Sequence, residues 1–388
     1  MSWGDRISPI VKDMPTSGIR RFFDIVAEMK NVVSLGVGEP DFVTPWHIRE
    51  SCVYGLQRGY TAYTSNFGML ELRQEIAKLY KEKYNISYDP RQEALITVGV
   101  SQALDLAMRA ILSPGDEVLI PEPCYVSYRA CVTLAGGTPV PVATSIENEF
   151  RITVEQLSEL VTPRTKALLI GYPNNPTGAI MPRAELEAIA HFAKQHDLIV
   201  ISDEIYGDLT YDGNHTCFAG LPEMRDRTIL LNGFSKAYAM TGWRIGYALS
   251  NPDFIAAMTK IHQYTMLCAP VTAQVAAVEA LKNGERSMQK MVAEYNNRRR
   301  LMLEGLRGMG LECFEPKGAF YIFPSIKSTG LSSLEFAEEL LKDQKVALVP
   351  GNAFGDCGEG YVRCSYATST TNLIEALERI GKFVRKFQ

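Results

Sequence analysis

Short apolar runs alternate with amphipathic stretches between Ile48 and Val278, which predicts an α/β protein with a mostly parallel sheet covered by helices. Two further observations support that class. At three places an apolar run ends in a polar turn rich in Gly, Pro, Asn or Asp, and stretches such as Arg183 to His196 carry their apolar residues at helical spacing. At 388 residues the chain is long enough for two or three domains, and it shows no internal repeat or low-complexity tract.

The first junction is EALITVGVSQALDLAMRAI. Ala94 to Val98 reads as a strand, Gly99 as a tight exit, and Ser101 onward as a helix with apolar residues at Ala103, Leu104, Ala107, Met108 and Ile111. Backbone N–H groups at such a helix start, beside a serine hydroxyl, form an anion site; Ser101 fits an ordinary N-cap equally well. The turn is neither GxGxxG nor GxxxxGK[ST], so no motif supports a dinucleotide or a nucleoside triphosphate. In the second junction, KALLIGYPNNPTG, Ala167 to Ile170 runs into Asn174, Asn175, Pro176 and Gly178, which by themselves say only that the chain reverses.

The third junction takes Leu198 to Ile201 into Asp203, Glu204 and Tyr206. Ligands of α/β sheets bind beyond such carboxyl ends. A carboxylate there can pair with a protonated ring nitrogen, and a phenol three residues on can donate to a ring oxygen; a solvated acid at a strand end is the alternative. Next comes NGFSKAYAMTGWRIGY, with Lys236 directly after Ser235 and Arg244 eight positions on (244 − 236). A lysine becomes a Schiff-base nucleophile when its aldehyde partner is held in place and the amine is partly neutral, and a phosphate-binding arginine does the holding. Ser-Lys alone suits a solvated surface lysine as well. Beyond it, RRRLMLEGLRGMGLECFEPKGAFYIFPS reads as helix, glycine turn and strand, an α+β pattern.

Composition excludes several classes. A net charge of −4 with scattered basic residues gives no nucleic-acid footprint, and Arg298 to Arg300 read as one helix face rather than a patch. No run approaches a membrane-spanning length, and MSWGDRISPI lacks a hydrophobic signal core, so a cytoplasmic location is expected. Eight cysteines without CxxC spacing or a histidine cluster argue against structural zinc and against a disulfide framework. No metal site is expected. Cys124 reads as a buried thiol that could alternatively line a site.

Taken in order, GVGEPDF (36–42), TVGVSQAL, PEPCYVSY, YPNNPTG, SDEIY, GFSKAYAMTGWRIGY and YVRCSYATS resemble the class I/II aminotransferases of pyridoxal 5'-phosphate fold type I. The resemblance runs from about Ser17 to the C-terminal helix. It implies a large domain at 46–284 with a mostly parallel seven-stranded sheet, and a smaller α+β domain joining 1–45 to 285–388. It makes Lys236 the Schiff-base lysine and proton shuttle, and Asp203 the partner of the pyridine nitrogen, which keeps that ring protonated as an electron sink. Tyr206 and Asn175 become donors to the ring's phenolate oxygen, and Tyr125 the aromatic wall on which the ring stacks. The phosphate goes to the backbone at Val100 and Ser101, to Ser235 and to Arg244. Tyr63 corresponds to a tyrosine that reaches the phosphate from a partner subunit, which requires a homodimer.

For the substrate, the resemblance assigns the α-carboxylate to Arg363 with Asn175 and the backbone of Gly38, an apolar lid to Ile19, and a distal carboxylate to Arg20, which fits a surface residue at a helix start equally well. The implied reaction is ping-pong transfer of an α-amino group to a 2-oxo acid, 2-oxoglutarate by resemblance, with alanine, aspartate and aromatic donors all open. Ser101 stands where dicarboxylate-specific relatives carry a lysine. A C–S β-lyase or acyl-transferring synthase of the same fold shares these cofactor residues. A cofactor-binding regulator module is disfavoured because Gly36 already begins the motifs.

Overall fold

The computed structural model describes residues 3–14, 29 and 31–387. In chain order the strands are β1 (Val33–Ser34), β2 (Ala94–Thr97), β3 (Glu117–Glu122), β4 (Thr138–Ala143), β5 (Thr165–Ile170), β6 (Ile199–Asp203), β7 (Thr228–Gly233), β8 (Gly246–Leu249), β9 (Tyr321–Ile322), β10 (Val346–Ala347), β11 (Val349–Pro350) and β12 (Val362–Ser365). Seven of them form one sheet in the order β2-β8-β7-β6-β5-β3-β4. The strands from β7 across to β4 are parallel, and β8 runs antiparallel to both of its neighbours. The sheet is mostly parallel, as the alternating runs predict, and has the seven strands that the family resemblance implies.

Both faces of the sheet are covered over β5, β6, β7 and β8, so these strands carry continuous apolar runs rather than alternating ones, while the edge strand β4 is largely exposed. Successive residues still point to opposite sides. Leu168 and Val200 join the core with Leu186, Ile189 and Phe192 of the helix Arg183–Gln195. Their neighbours Leu169 and Ile201 join Leu104, Ala107 and Met108 of the helix Gly99–Ile111 on the other side. All of these residues are buried.

A second body of structure lies around two small sheets. β1 pairs in parallel with β10, and β11-β12-β9 form an antiparallel sheet. Leu35 links the two, donating its N–H to Ala347 O and accepting from the Ser365 N–H, both at 2.7 Å. The helices Glu285–Gly308, Ser333–Gln344 and Thr370–Val384 pack around them. Arg298, Arg299 and Arg300 do not share a helix face: at 100° per residue the first two turn inward and Arg300 stays exposed. Arg298 pairs with Asp41 at 2.8 Å, and Arg299 donates to Pro316 O at 2.8 Å.

The sheet topology fixes where chemistry can gather. Parallel strands β3, β5, β6 and β7 all deliver their carboxyl ends to one edge. β8, being antiparallel, starts at that edge, so the residues just before Gly246 arrive there too.

Candidate active site

At that edge lies a cavity of about 370 Å³, lined among others by Gly38, Val100, Ser101, Tyr125, Asn175, Asp203, Tyr206, Ser235, Lys236, Arg244 and Arg363. Eleven predicted site residues therefore meet in one place. Two fall elsewhere. Tyr63 is 83% exposed and lies outside the cavity, while Ile19, with Arg20, lies outside the described residues.

The helix after β2 begins at Gly99, two residues earlier than the sequence suggests, so Ser101 sits in its first turn rather than capping it. The N–H groups of a first turn have no helical partners, and Val100 and Ser101 of that turn line the cavity. The Gln102 side chain takes the Val98 N–H at 2.7 Å. Arg244 completes the corner in the left-handed region, φ 54° and ψ 58°, a conformation that non-glycine residues adopt at a cost and that recurs at functional sites. A Cβ on Gly99 would lie 2.7 Å from Arg244 Nη2, so glycine is what lets the guanidinium cross the helix start.

Asp203 ends β6 pointing into the cavity floor. Burial pushes its carboxyl up to about 6, opposed by hydrogen bonds from Tyr128 Oη at 2.8 Å and the Ile205 N–H at 3.2 Å. Lys236, just past β7, donates to Gly38 O at 2.6 Å. Burial lowers its amine to about 8, helped by the charges of Arg363 and Arg244. Arg363 on β12 is buried; its Nη1 meets Asn175 Oδ1 at 2.9 Å and its Nη2 meets Gly36 O at 2.6 Å. Its Nε is buried without a partner, a donor held ready for something that enters the cavity. Asn174 holds the YPNNPTG turn by accepting from Thr177, which leaves Asn175 to face Arg363.

The lining thus offers three cationic side chains and the first turn of a helix around one buried carboxylate. A family model, Aminotransferase class I and II, matches residues 30–380.

The chain belongs to the class I and II aminotransferases.

The Bacillus subtilis protein YugH is 54% identical over 380 residues, covering 98% of each chain. The aspartate aminotransferase of Pyrococcus abyssi is 50% identical over 374 residues, covering 95% of this chain and 96% of its own. The crystal structure of the aromatic aminotransferase from Pyrococcus horikoshii OT3 is 46% identical, matches with a TM-score of 0.90, and covers 95% of this chain and 99% of its own. This aminotransferase is accordingly an enzyme that transfers an amino group between an amino acid and a 2-oxo acid. Members of the family depend on pyridoxal phosphate.

The cavity of this aminotransferase also contains residues that the sequence motifs do not single out. Tyr128 donates to Asp203 and meets the Tyr125 ring edge-on, with centroids 5.7 Å apart. It follows Tyr125 by three positions in PEPCYVSY, a helical spacing that carries the signal. Tyr321 on β9 lines the cavity against Tyr206 and Arg363. Glu39 and Thr241 meet at its mouth, at 3.2 Å. Cys124 is buried and absent from the lining. All eight cysteines are free, and among the described residues no group of acidic, histidine or cysteine side chains could hold a metal ion. No described helix is long and apolar enough to cross a membrane.

Proposed function

We propose that this aminotransferase takes the α-amino group from an amino acid and gives it to a 2-oxo acid, 2-oxoglutarate foremost, using pyridoxal 5'-phosphate held in the cavity. The observation that carries the reading is Lys236: an amine brought to about 8 inside a cavity that also holds Asp203 and Arg244. The lining fits the group. The first-turn N–H groups at Val100 and Ser101, the Ser235 hydroxyl and the Arg244 fork suit a phosphate. Asp203 suits a protonated ring nitrogen, Tyr206 and Asn175 suit a ring phenolate, and Tyr125 supplies a flat wall.

When bound, pyridoxal phosphate supplies a ring that takes up the electron pair left as a bond at the substrate α-carbon breaks. The chain's own residues do the rest. Arg363, whose Nε is unoccupied, takes the α-carboxylate with help from Asn175 and the Gly38 backbone. That grip holds the carboxylate in place and leaves the α-hydrogen as the group to be removed. Lys236 would take this proton from Cα as general base and, as general acid, give it back across the amino nitrogen to the carbon that carries the aldehyde in the free cofactor. Asp203 is ionised at neutral pH and keeps the ring nitrogen charged.

Tyr63 of the partner subunit completes the phosphate site in this reading, so the working form is a homodimer; a cytoplasmic setting suits eight free thiols. Donor choice follows the relatives, one named for aspartate and one for aromatic amino acids, with alanine open as well. The test is the absorbance of purified protein with single amino acids and no acceptor. A cofactor band that bleaches with alanine, aspartate or phenylalanine and returns with 2-oxoglutarate supports the proposal and ranks the donors; a band that no amino acid changes overturns it.

A further inference from the structure

We propose that Tyr321 is a positioning residue for amino transfer: its hydroxyl sets the orientation and proton of Tyr206, and its ring holds the Arg363 guanidinium. The role rests on the cofactor placement proposed above. Tyr321 lies on β9, outside every motif that marks the other site residues. It is 1% exposed yet lines the cavity. Its Oη lies 2.8 Å from Tyr206 Oη, and the two rings meet edge-on with centroids 5.8 Å apart. Its ring lies 4.5 Å from the Arg363 guanidinium carbon, on which the Phe354 ring also bears at 4.8 Å.

Two hydroxyls at this distance share one hydrogen, and which of them donates decides what Tyr206 can do. If Tyr206 donates to Tyr321, its only proton is spent and it can give nothing to a ligand. If Tyr321 donates, the Tyr206 proton is free to point into the cavity, and the chain Tyr321 to Tyr206 to ligand polarises in one direction. A ligand oxygen bearing negative charge selects the second arrangement. Burial raises both phenols; for Tyr321 the next influence is Arg363, which draws against that rise and makes its proton the easier to give.

The placement is tight. A Cβ on Gly38 would come within 2.4 Å of Tyr321 Oη, so the glycine whose carbonyl meets Lys236 also leaves room for this hydroxyl. One side chain therefore touches the residue proposed to face the cofactor oxygen and the residue proposed to grip the substrate carboxylate.

The experiment uses the protein loaded with pyridoxal phosphate, comparing wild type, Y321F, Y206F and the double variant by the pH midpoint of the bound cofactor's absorbance change. Donation through Tyr206 favours the deprotonated form, so Y321F should raise the midpoint by about half a unit, the size of one neutral hydrogen bond felt at one remove. Adding Y321F to Y206F should change nothing further. Y321F keeps the ring and should bind a non-reacting dicarboxylate such as maleate as wild type does; Y321L should weaken it roughly ten- to thirtyfold, the scale of a desolvated cation–π contact. A Y321F midpoint equal to wild type, or shifts that add in the double variant, would overturn the relay through Tyr206. Equal maleate affinity in Y321F and Y321L would overturn the support of Arg363. A wild-type protein that takes up no cofactor would instead overturn the cofactor reading, and the relay with it.

Discussion

In the proposed reaction, burial is what turns Lys236 from an ordinary side chain into a reagent. An exposed lysine is protonated at neutral pH and inert towards an aldehyde, whereas this amine, lowered to about 8, is partly neutral there. The sign follows directly: below about 8 the neutral fraction of the amine falls tenfold per pH unit, and above it the amine is mostly free. Capture of pyridoxal phosphate by the cofactor-free protein should accelerate about tenfold per pH unit up to about 8 and then level off, as stopped-flow absorbance would show. Lys236→Ala should retain no cofactor through borohydride reduction and denaturation, whereas wild type should gain its mass. Tyr128 acts on the facing carboxylate. Its hydroxyl is one of two donors to Asp203, so Tyr128→Phe should weaken cofactor binding roughly tenfold by equilibrium titration while leaving the fold intact. Asp203 was legible because it ends an apolar strand in SDEIY. Tyr128 and Tyr321 were not singled out, because their roles come from packing between elements distant in the chain: 75 positions separate Tyr128 from its partner and 115 separate Tyr321 from its own.

Among elements, the strand-to-turn junctions were the legible part of the fold, since a parallel sheet covered on both faces writes its strands as continuous apolar runs. The strand order and the antiparallel sense of β8 were not legible, because they depend on which runs pair and a local pattern carries no partner. Yet β8 is what brings Arg244 to the site, and it does so by an unusually close approach. A Cβ on Gly246 would lie 2.7 Å from the Val100 nitrogen and 2.8 Å from the Gly99 carbonyl carbon. Both are main-chain atoms, so no rotamer change relieves the clash. Gly246→Ala should push the helix start away from β8, lowering stability by about 1–3 kcal/mol and weakening cofactor binding together. Gly242→Ala, in the turn just before, meets nothing within 4 Å and should leave both unchanged. Thermal unfolding and cofactor titration of the two variants check this; equal behaviour would mean that the β8 contact does not set the phosphate corner.

For the whole molecule, the question is why so much aromatic surface faces solvent. Tyr63 at 83%, Trp46 at 60%, Tyr54 at 55%, Tyr264 at 86% and Met266 at 47% exposure are large apolar groups on the surface of a single chain. Asn66 donates to Leu267 O at 2.8 Å, tying the loop after Tyr63 to the turn that follows the helix Pro252–Thr265, on which Tyr264 lies, and the helix Trp46–Gln57 packs its Gly55 against Val275. Exposed apolar groups of this kind suit an interface, and in the homodimer proposed above a two-fold pair of chains would cover them on both copies at once. If Tyr63 completes the phosphate site across that pair, Lys236 and Tyr63 of any one site come from different chains. Tyr63→Phe should then lower cofactor affinity about tenfold, the loss of one hydrogen bond to an anion. A sharper consequence follows from mixing. In a hybrid of Lys236→Ala with Tyr63→Phe, one site receives both lesions and the other receives neither. Unfolding and refolding the two variants together in equal amounts should therefore restore about a quarter of wild-type activity under limiting cofactor, because about half the dimers are hybrids with one intact site of two. Activity equal to the mean of the separate variants would show that each chain builds its site alone, whatever its state of association.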